Sequence, residues 1–367
     1  MSKARQLADF SSVAPDIGRK NLIINGAMQV AQRGTSETGV TSMKYANAPD
    51  HYQLVINNMG AYTVSQSTDA PDGFANSYKI QCTTADASPA AGDYFFFWTK
   101  HEGQDVQHLK FGTASAQQLS LSFWVKSNMT GTWQVNFRDK DNGRLITGTY
   151  TTNSADTWEY KTITVDGDTG SSGFTNDNNE SFSLEFPLGA GTDFTSGTAP
   201  TAWEGSVNAN RAASNTVNIA SSTSNYWAIT GVQLEVGSVA TPFEHRSYGE
   251  ELALCQRYTF VLNGEKSVND WPIAIVHWYN SNYARGIIYF PVSMRTGPTL
   301  IETQGSNYYR VLTAGSSYYT TNLVSTLVKT YAIGIYSNQF NSNPTLGYAG
   351  ELFIENSAAT IVFDAEL

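Results

Sequence analysis

Alternation of apolar and polar residues sorts the side chains of three predicted strands onto two faces. These strands are LSLSFWVKS (119–127), TWQVNFRD (132–139) and SFSLEFPLG (181–189). One face is apolar, and the other carries a single large aromatic ring among polar side chains. If the strands share a sheet, that polar face consists of Trp124, Lys126, Gln134, Asn136, Arg138 and Glu185. Such a face suits glycan binding, because an aromatic ring can stack on the C–H surface of a sugar while polar groups bind its hydroxyls.

A second interpretation of the same face stays open. The polar side chains would then be an ordinary solvated outer surface. The indole of Trp124 would pack under a loop or against another subunit. Both interpretations place Trp124 out of phase with the apolar residues Leu121, Phe123 and Val125.

The acidic residues show no recognisable catalytic arrangement. The chain contains no GxSxG elbow, P-loop or dinucleotide fingerprint. A glycosidase needs two facing carboxyl groups, for which the candidates are Asp139, Asp141, Glu159 and Glu185. Spacing does not reveal which acids face each other, and solvated turn or edge positions are the simpler interpretation. We therefore predict that the protein is not an enzyme and needs no cofactor.

Metal-binding patterns are weak. Asp166, Asp168 and Gly170 resemble the start of a calcium loop, but the later ligands of that loop are missing. The five histidines show no HExxH motif or paired spacing, which argues against zinc. We predict no metal site.

Composition excludes several classes of protein. Only 15% of the 367 residues are charged, 13% are aromatic, and the net charge is −10. A negative chain without clustered Lys and Arg does not favour nucleic acid as a partner. No run of about 18 apolar residues is present, so membrane insertion is not expected. The first ten residues lack the apolar core of a signal peptide. Cys82 and Cys255 are expected to be buried free thiols.

Short strand-like runs joined by Gly, Asn and Asp turns fill most of the chain. After the break at Pro242, residues Leu252, Leu254 and Cys255 fall close to one face of a short helix. We predict an all-β protein with a jelly-roll β-sandwich at 19–247 and a smaller β-sandwich at 248–367. Residues 1–18 are predicted to be an N-terminal attachment arm, or else a frayed terminus.

Aromatic residues carry further expectations. The run YFFFW (Tyr94–Trp98) places aromatic rings on both faces of one strand, so this strand is expected between two sheets or at a subunit contact. Trp158, in the run DTWEYKTITV, resembles a position that packs the core in many jelly-roll modules, which implies a structural role. The pairs Tyr308–Tyr309 and Tyr318–Tyr319 indicate either a recognition surface or a core or trimer contact in the C-terminal domain.

Four long blocks resemble the tail-fibre proteins of marine and cyanobacterial bacteriophages. They begin with DIGRKNLIINGAMQVAQRGTS (16–36) and GQDVQHLKFGTASAQQLSLSFWVKS (103–127). The others are LGAGTDFTSGTAPTAWEGSVNANR (188–211) and ITGVQLEVGSVATPFEHRSYGEELALCQRY (229–258). The resemblance implies a virion protein, assembled in the host cytoplasm and acting as a tail fibre or receptor-binding adhesin.

The same resemblance implies partners. They are two further copies of the chain in a homotrimer, other phage structural proteins bound through the arm, and host cell-surface polysaccharide. Two alternatives stay open: a capsid-surface fibre or decoration protein, and a depolymerase of host polysaccharide.

The runs NLIINGAM and GVQLEVG also resemble, more weakly, the strands that frame jelly-roll carbohydrate-binding modules. In those modules calcium often joins the first and last strands through carboxylates. The matching positions here, Gln29 and Thr230 or Gly231, carry none. This calcium site is therefore not expected.

Overall fold

The computed structural model describes residues 19–263, 272–280, 282–340 and 344–367. The chain divides into two compact units. The first unit ends at Glu251 and also includes Leu367, and the second runs from Leu252 to Glu366. The predicted arm, residues 1–18, lies outside the described residues.

The first unit is built from short antiparallel strands, as its alternating β-branched and aromatic residues predict. Its strands are β1 (Ser36–Val40), β2 (Lys44–Tyr45), β3 (Gln53–Asn57), β4 (Ala61–Ser67), β5 (Ser77–Thr84), β6 (Tyr94–Glu102), β7 (Leu119–Ser127), β8 (Gly131–Asp139), β9 (Arg144–Thr152), β10 (Glu159–Val165), β11 (Glu180–Ala190), β12 (Glu204–Gly205) and β13 (Tyr226–Val236). Its helical segments within the described residues are α1 (Gly103–Val106), α2 (Thr192–Thr195) and the 3-10 turns Gln107–Leu109, Asn208–Asn210 and Ile219–Ser221.

These strands form two sheets. The front sheet has the order β1-β4-β5-β13-β7-β10, and the back sheet has the order β12-β9-β8-β11-β6-β3-β2. Consecutive strands often change sheet, so the apolar sides of both sheets face one shared core. Phe123 of the front sheet, for example, meets Phe186 of the back sheet with ring centroids 5.6 Å apart. The predicted jelly-roll sandwich is confirmed.

The second unit is also a β-sandwich. Its strands are β14 (Thr259–Asn263), β15 (Ala274–Asn280), β16 (Tyr283–Tyr289), β17 (Thr299–Glu302), β18 (Tyr309–Thr313), β19 (Ser316–Thr320), β20 (Val324–Thr326), β21 (Ala332–Ser337), β22 (Ala349–Ile354) and β23 (Thr360–Asp364). They pair in the orders β14-β23-β17 and β19-β18-β22-β15-β16-β21-β20. Trp278 lies in the core between them, where its Nε1 donates to Thr313 Oγ1 at 3.0 Å.

The junction of the two units carries the predicted helix, α3 (Tyr248–Gln256). Cys255 on this helix and Cys82 on β5 are buried, as expected, and neither forms a disulfide within the described residues. No helix among the described residues is long and apolar enough to cross a membrane.

The YFFFW strand is buried on both sides by its own chain. Phe95 and Phe97 belong to the sandwich core. Phe96 points outward, but it packs against Phe194 at a centroid distance of 5.7 Å. Phe194 belongs to a covering segment, residues 190–216, that lies over the outer face of the back sheet. Neither the core nor this cover requires a second subunit to bury the three phenylalanines.

Candidate functional site

The six residues predicted to share one polar face lie on two different sheets. Trp124 and Lys126 lie on β7 of the front sheet, whereas Gln134, Asn136 and Arg138 lie on β8 of the back sheet. Glu185, on β11, is next to Asn136 in the back sheet. Each set does face away from the core, as the alternation predicts. The single six-residue surface was wrong, because β7 pairs with β13 and β10 and not with β8.

On the front sheet, Trp124 begins an open aromatic surface. Tyr160 is its register partner on β10, and the two ring centroids are 5.4 Å apart. Tyr160 is 45% exposed, and Trp124 is half-buried. Trp158 immediately precedes this edge strand, and its Nε1 and Lys126 Nζ both donate to Asp69. We call Trp124, Lys126, Trp158, Tyr160 and Asp69 the aromatic platform.

Asp69 holds the polar end of the platform in place. Its carboxylate accepts a hydrogen bond from Lys126 Nζ at 2.8 Å and another from Trp158 Nε1 at 3.0 Å. Partial burial raises the pKa of the Asp69 carboxyl, but the hydrogen bonds from Lys126 and Trp158 outweigh it and hold the pKa below its ordinary value. The carboxylate is therefore charged at neutral pH. The prediction that Trp158 packs in the core was wrong, since its indole is fixed at the surface by Asp69.

A fourth aromatic side chain, Tyr226, extends this surface along β13. Tyr226 donates its hydroxyl to Asp156 at 2.6 Å, and Lys79 Nζ lies 4.7 Å from its ring centroid. Cation–ring contacts of this kind hold an aromatic side chain in one orientation. The front sheet thus presents several aromatic rings with fixed positions and charged groups between them.

On the back sheet, the predicted polar residues are covered. Gln134, Asn136 and Glu185 are each 0% exposed. The covering segment supplies their partners: Gln134 Nε2 donates to the carbonyl of Asn210 at 2.8 Å, and Asn136 Nδ2 donates to the carbonyl of Arg211 at 2.8 Å. These side chains attach the segment to the sheet, and they are not an open binding surface.

Glu185 is the centre of this attachment. Its carboxylate accepts hydrogen bonds from Arg138 and from Arg211, whose Nε and Nη2 lie 3.1 and 3.0 Å from the carboxylate oxygens. Burial raises the pKa of the Glu185 carboxyl, but Arg211 and Arg138 more than offset that effect and hold the pKa below its ordinary value. Removing the Glu185 carboxylate would leave the guanidinium groups of Arg138 and Arg211 partly buried and without this partner.

The positions weighed for metal binding have other partners. Asp168 pairs with Arg144 and accepts from the amide of Gly170 at 2.9 Å. Thr230 Oγ1 donates to the carbonyl of Asn76, and the carbonyl of Gln29 accepts from Gln66. Within the described ranges, no group of three or more His, Cys, Asp or Glu side chains is arranged to hold a metal ion.

The carboxyl groups weighed as glycosidase candidates are dispersed. Glu159 lies on the front sheet and Glu185 on the back sheet. Asp139 is bonded to Asn142 in the turn after β8, and Asp141 accepts from the amide of Thr175 at 2.8 Å. Burial raises the pKa of the Asp139 carboxyl above its ordinary value. It raises that of Glu159 as well, but hydrogen bonds from Lys161, Ser154 and Asn153 outweigh it and lower the pKa to about 2.

Sequence reasoning missed three members of the platform: Trp158, Tyr160 and Asp69. Tyr160 follows Trp158 in the run DTWEYKT, where alternation places both rings on one side of the strand. This signal was present, but Trp158 was assigned to the core and Tyr160 was not considered. Asp69 carries no such signal, since it lies in the loop after β4 and reaches Lys126 only through the fold.

Comparisons with known proteins identify no family. No family model and no curated protein matches the chain. Solved structures with some likeness include the enzymatically active domain of tailspike protein 4 of bacteriophage CBA120, with 14% identity and a TM-score of 0.31 over 59% of this chain. The chain spans only 21% of that protein.

A putative sugar-binding protein from Bacteroides thetaiotaomicron has 14% identity and a TM-score of 0.32, covering 59% of this chain and 100% of its own. A tandem CBM22 domain from Paenibacillus barcinonensis has 10% identity and a TM-score of 0.29, covering 96% and 98%. With TM-scores this low, these likenesses carry no inference about what this chain binds.

Proposed function

We propose that this protein is a non-catalytic glycan-binding adhesin of a phage virion, with the tail fibre as its location. The observation that carries the proposal is the aromatic platform, where Trp124 and Tyr160 lie side by side on the outer face of the front sheet. Exposed rings held beside charged groups are costly unless they serve recognition. The resemblance of four long sequence blocks to tail-fibre proteins supports the virion role.

The platform suits weak binding by each copy. Stacking on one or two rings, with a few solvated hydrogen bonds, corresponds to a millimolar dissociation constant, or about 4 kcal/mol. Adhesion would then depend on several copies that engage one surface together. This is the physical reason to propose a homotrimer.

The burial of Phe95, Phe96 and Phe97 within one chain removes the YFFFW strand as an argument for the trimer. A different surface supports self-association. On the second unit, β15 and β16 expose Ile275, Tyr279, Ile287 and Tyr289 to between 50% and 70%. Light scattering at micromolar concentration tests the trimer, and the mass of a monomer would contradict it.

Non-catalytic binding is proposed because the candidate acids are dispersed and already bonded to other residues. The alternative, a polysaccharide depolymerase, needs two carboxyl groups facing one sugar. Incubation with bacterial polysaccharides, followed by an assay for new reducing ends, separates the two. Release of reducing ends would establish the depolymerase.

The place in the virion rests on the resemblance alone. Immunogold labelling of particles distinguishes the tail fibre from a capsid-surface fibre or decoration protein. Deletion of residues 1–18 tests the attachment arm, since the proposal expects folded protein that no longer joins particles. Normal incorporation of the truncated chain would contradict the arm.

The direct test of the platform uses an array of bacterial surface glycans. Trp124→Ala and Tyr160→Ala should each abolish measurable binding of the assembled protein while leaving its thermal unfolding nearly unchanged. Tyr248→Ala is the matched control, because it removes an exposed ring (56%) that belongs neither to the platform nor to the surface proposed for self-association. Full binding by both platform variants would place the receptor surface elsewhere.

A further inference from the structure

The seven-stranded sheet of the second unit has an apolar outward face. Most of the exposed large hydrophobic side chains among the described residues belong to this unit, although it is the shorter of the two. Ile275 and Tyr279 on β15, with Ile287 and Tyr289 on β16, are 50% to 70% exposed. Val276, between the first two, points into the core. We call the exposed side of these two strands the β15–β16 face. Monomeric proteins rarely expose a contiguous apolar patch unless a partner covers it.

The aromatic side chains of this face support one another. Tyr283 stacks on Tyr336 with ring centroids 4.8 Å apart, and Tyr279 lies 5.9 Å from Tyr283. The guanidinium carbon of Arg285 lies 4.8 Å from the ring centroid of Tyr279, and Arg285 Nε donates to His277 Nε2 at 3.1 Å. Tyr279 and Arg285 are therefore held in one orientation before a partner binds, which lowers the entropy cost of association.

Two opposite charges on the same sheet are unpaired within the chain. Arg285 on β16 and Glu351 on β22 are both exposed, and neither forms an ion pair with another described residue. β15 lies between their strands, so their backbones are about 9–10 Å apart. Arg310 on β18 and Glu355, in contrast, are already joined at 2.7 Å. One cation and one anion are thus left for a partner that offers both charges, and a further copy of this chain offers both.

An open cavity of about 310 Å³ lies beside Glu351. Its lining residues are Ile275, Leu312, Ala314, Gly315, Ala349, Gly350 and Glu351. Glu351 is the one charged residue among them, and the others are apolar or glycine. The register brings three strands together at this point, because Glu351 is opposite both Leu312 on β18 and Ile275 on β15. An apolar cavity with a single carboxylate suits a side-chain pair made of an aromatic ring and a cation.

We propose that the β15–β16 face binds a further copy of this chain. Tyr279 and Arg285 of one copy enter the cavity of the next copy, where Arg285 forms an ion pair with Glu351. The two contact regions are different parts of one face, so the contact is heterologous, and three such contacts close a ring. This contact rests on the homotrimer of the proposed function and assigns the residues that form it. It leaves the aromatic platform, on the first unit, free for a ligand.

Reversal of each charge tests the pairing. Arg285→Glu and Glu351→Arg each bring like charges together at every contact of the ring. Each should raise the concentration at which half of the trimer dissociates at least about tenfold. The double variant restores opposite charges and should return that concentration to within about threefold of the wild type. Tyr279→Ala removes the ring that enters the cavity and should also raise it at least about tenfold, because tyrosines at the centre of an interface are frequent hot spots. Sedimentation equilibrium of the full chain measures all four variants.

Lys110→Glu is the matched control, because it changes the net charge by the same amount at an exposed position of the first unit and should leave association unchanged. Circular dichroism confirms that each variant is folded. A trimer that withstands both single reversals, or a double variant that stays dissociated, would overturn this contact and leave the homotrimer to another surface. Unchanged association of Tyr279→Ala would overturn it as well. A wild-type chain that is a monomer would overturn the homotrimer itself, so the two failures are distinguishable.

Discussion

The two outer faces of the first unit follow the same alternating sequence pattern, but one is open and the other is covered. On the front sheet, Trp124 lies on an open surface, and its neighbour Tyr160 is 45% exposed. On the back sheet, the covering segment has turned Gln134, Asn136 and Glu185 into buried attachment points. An outward-facing polar residue is therefore not the same as an accessible one. The presence or absence of a covering segment decides whether an outward-facing polar residue is open to a ligand or serves only to hold the fold together.

The largest difference in stability between the two faces is expected for Glu185→Ala. The variant leaves Arg138 and Arg211 without the carboxylate that pairs both, and loss of a buried charge of this kind costs about 3–5 kcal/mol of unfolding free energy. Urea unfolding followed by circular dichroism measures it. Asp69→Ala is the control from the front sheet, where the side chain is 49% exposed and the expected cost is at most about 1 kcal/mol. An equal loss of unfolding free energy in the two variants would contradict the distinction between a covered back sheet and an open front sheet.

A smaller effect is expected for Arg211→Met. Arg211 lies 4.5 Å from the ring centroid of Phe96 and makes two hydrogen bonds to Glu185, which keeps Arg138 as a partner in the variant. We expect a loss of about 2 kcal/mol, since hydrogen bonds to charged groups contribute about 1.5–3 kcal/mol. Limited proteolysis should then cut within residues 190–216. Lys126→Met, on the open sheet, should show neither change, and cleavage of both variants at the same rate would count against the cover.

Acid titration tests how much a carboxylate at the edge of the front sheet, that of Glu159, contributes to stability. The pKa of Glu159 is lowered from 4.5 to about 2, so the stability it contributes is complete above about 4.5 and is lost as pH falls toward 2. Glu159→Gln should therefore flatten the pH dependence of the melting temperature between pH 4.5 and 2. The slope of that dependence near pH 7 to 8 should stay the same as in the wild type. If the melting temperature of the variant still falls as steeply as that of the wild type between pH 4.5 and 2, Glu159 is not responsible for the acid-induced loss of stability.

The smallest effect on stability is expected for Trp124→Ala. Its ring is outside the core, so the free energy of unfolding should change by about 1 kcal/mol or less. Trp133 on the back sheet is 0% exposed, and its replacement by alanine should cost about 3–5 kcal/mol. Similar losses at the two tryptophans would assign Trp124 to the core and remove the aromatic platform.

The sequence by itself determined the direction of most side chains. The period of two in residues 119–127 and 132–139 placed Trp124 and Arg138 away from the core, because successive side chains of a strand point to opposite faces. The same pattern, with polar turns, determined that both units are β-sandwiches. Local alternation needs only neighbouring residues, so it can be read without the fold.

Only the tertiary structure decided which outward faces are shared and which are open. Strand pairing is non-local: β11 lies beside β8, and Glu185 meets Asn136 across 49 positions of sequence. Asp69 reaches Trp158 across 89 positions, and no periodicity encodes that distance. The cover over Glu185 likewise depends on Phe194 and Arg211 crossing a sheet to which neither belongs. Such contacts form because burial is optimised over the whole domain, and a single strand carries no record of its partners.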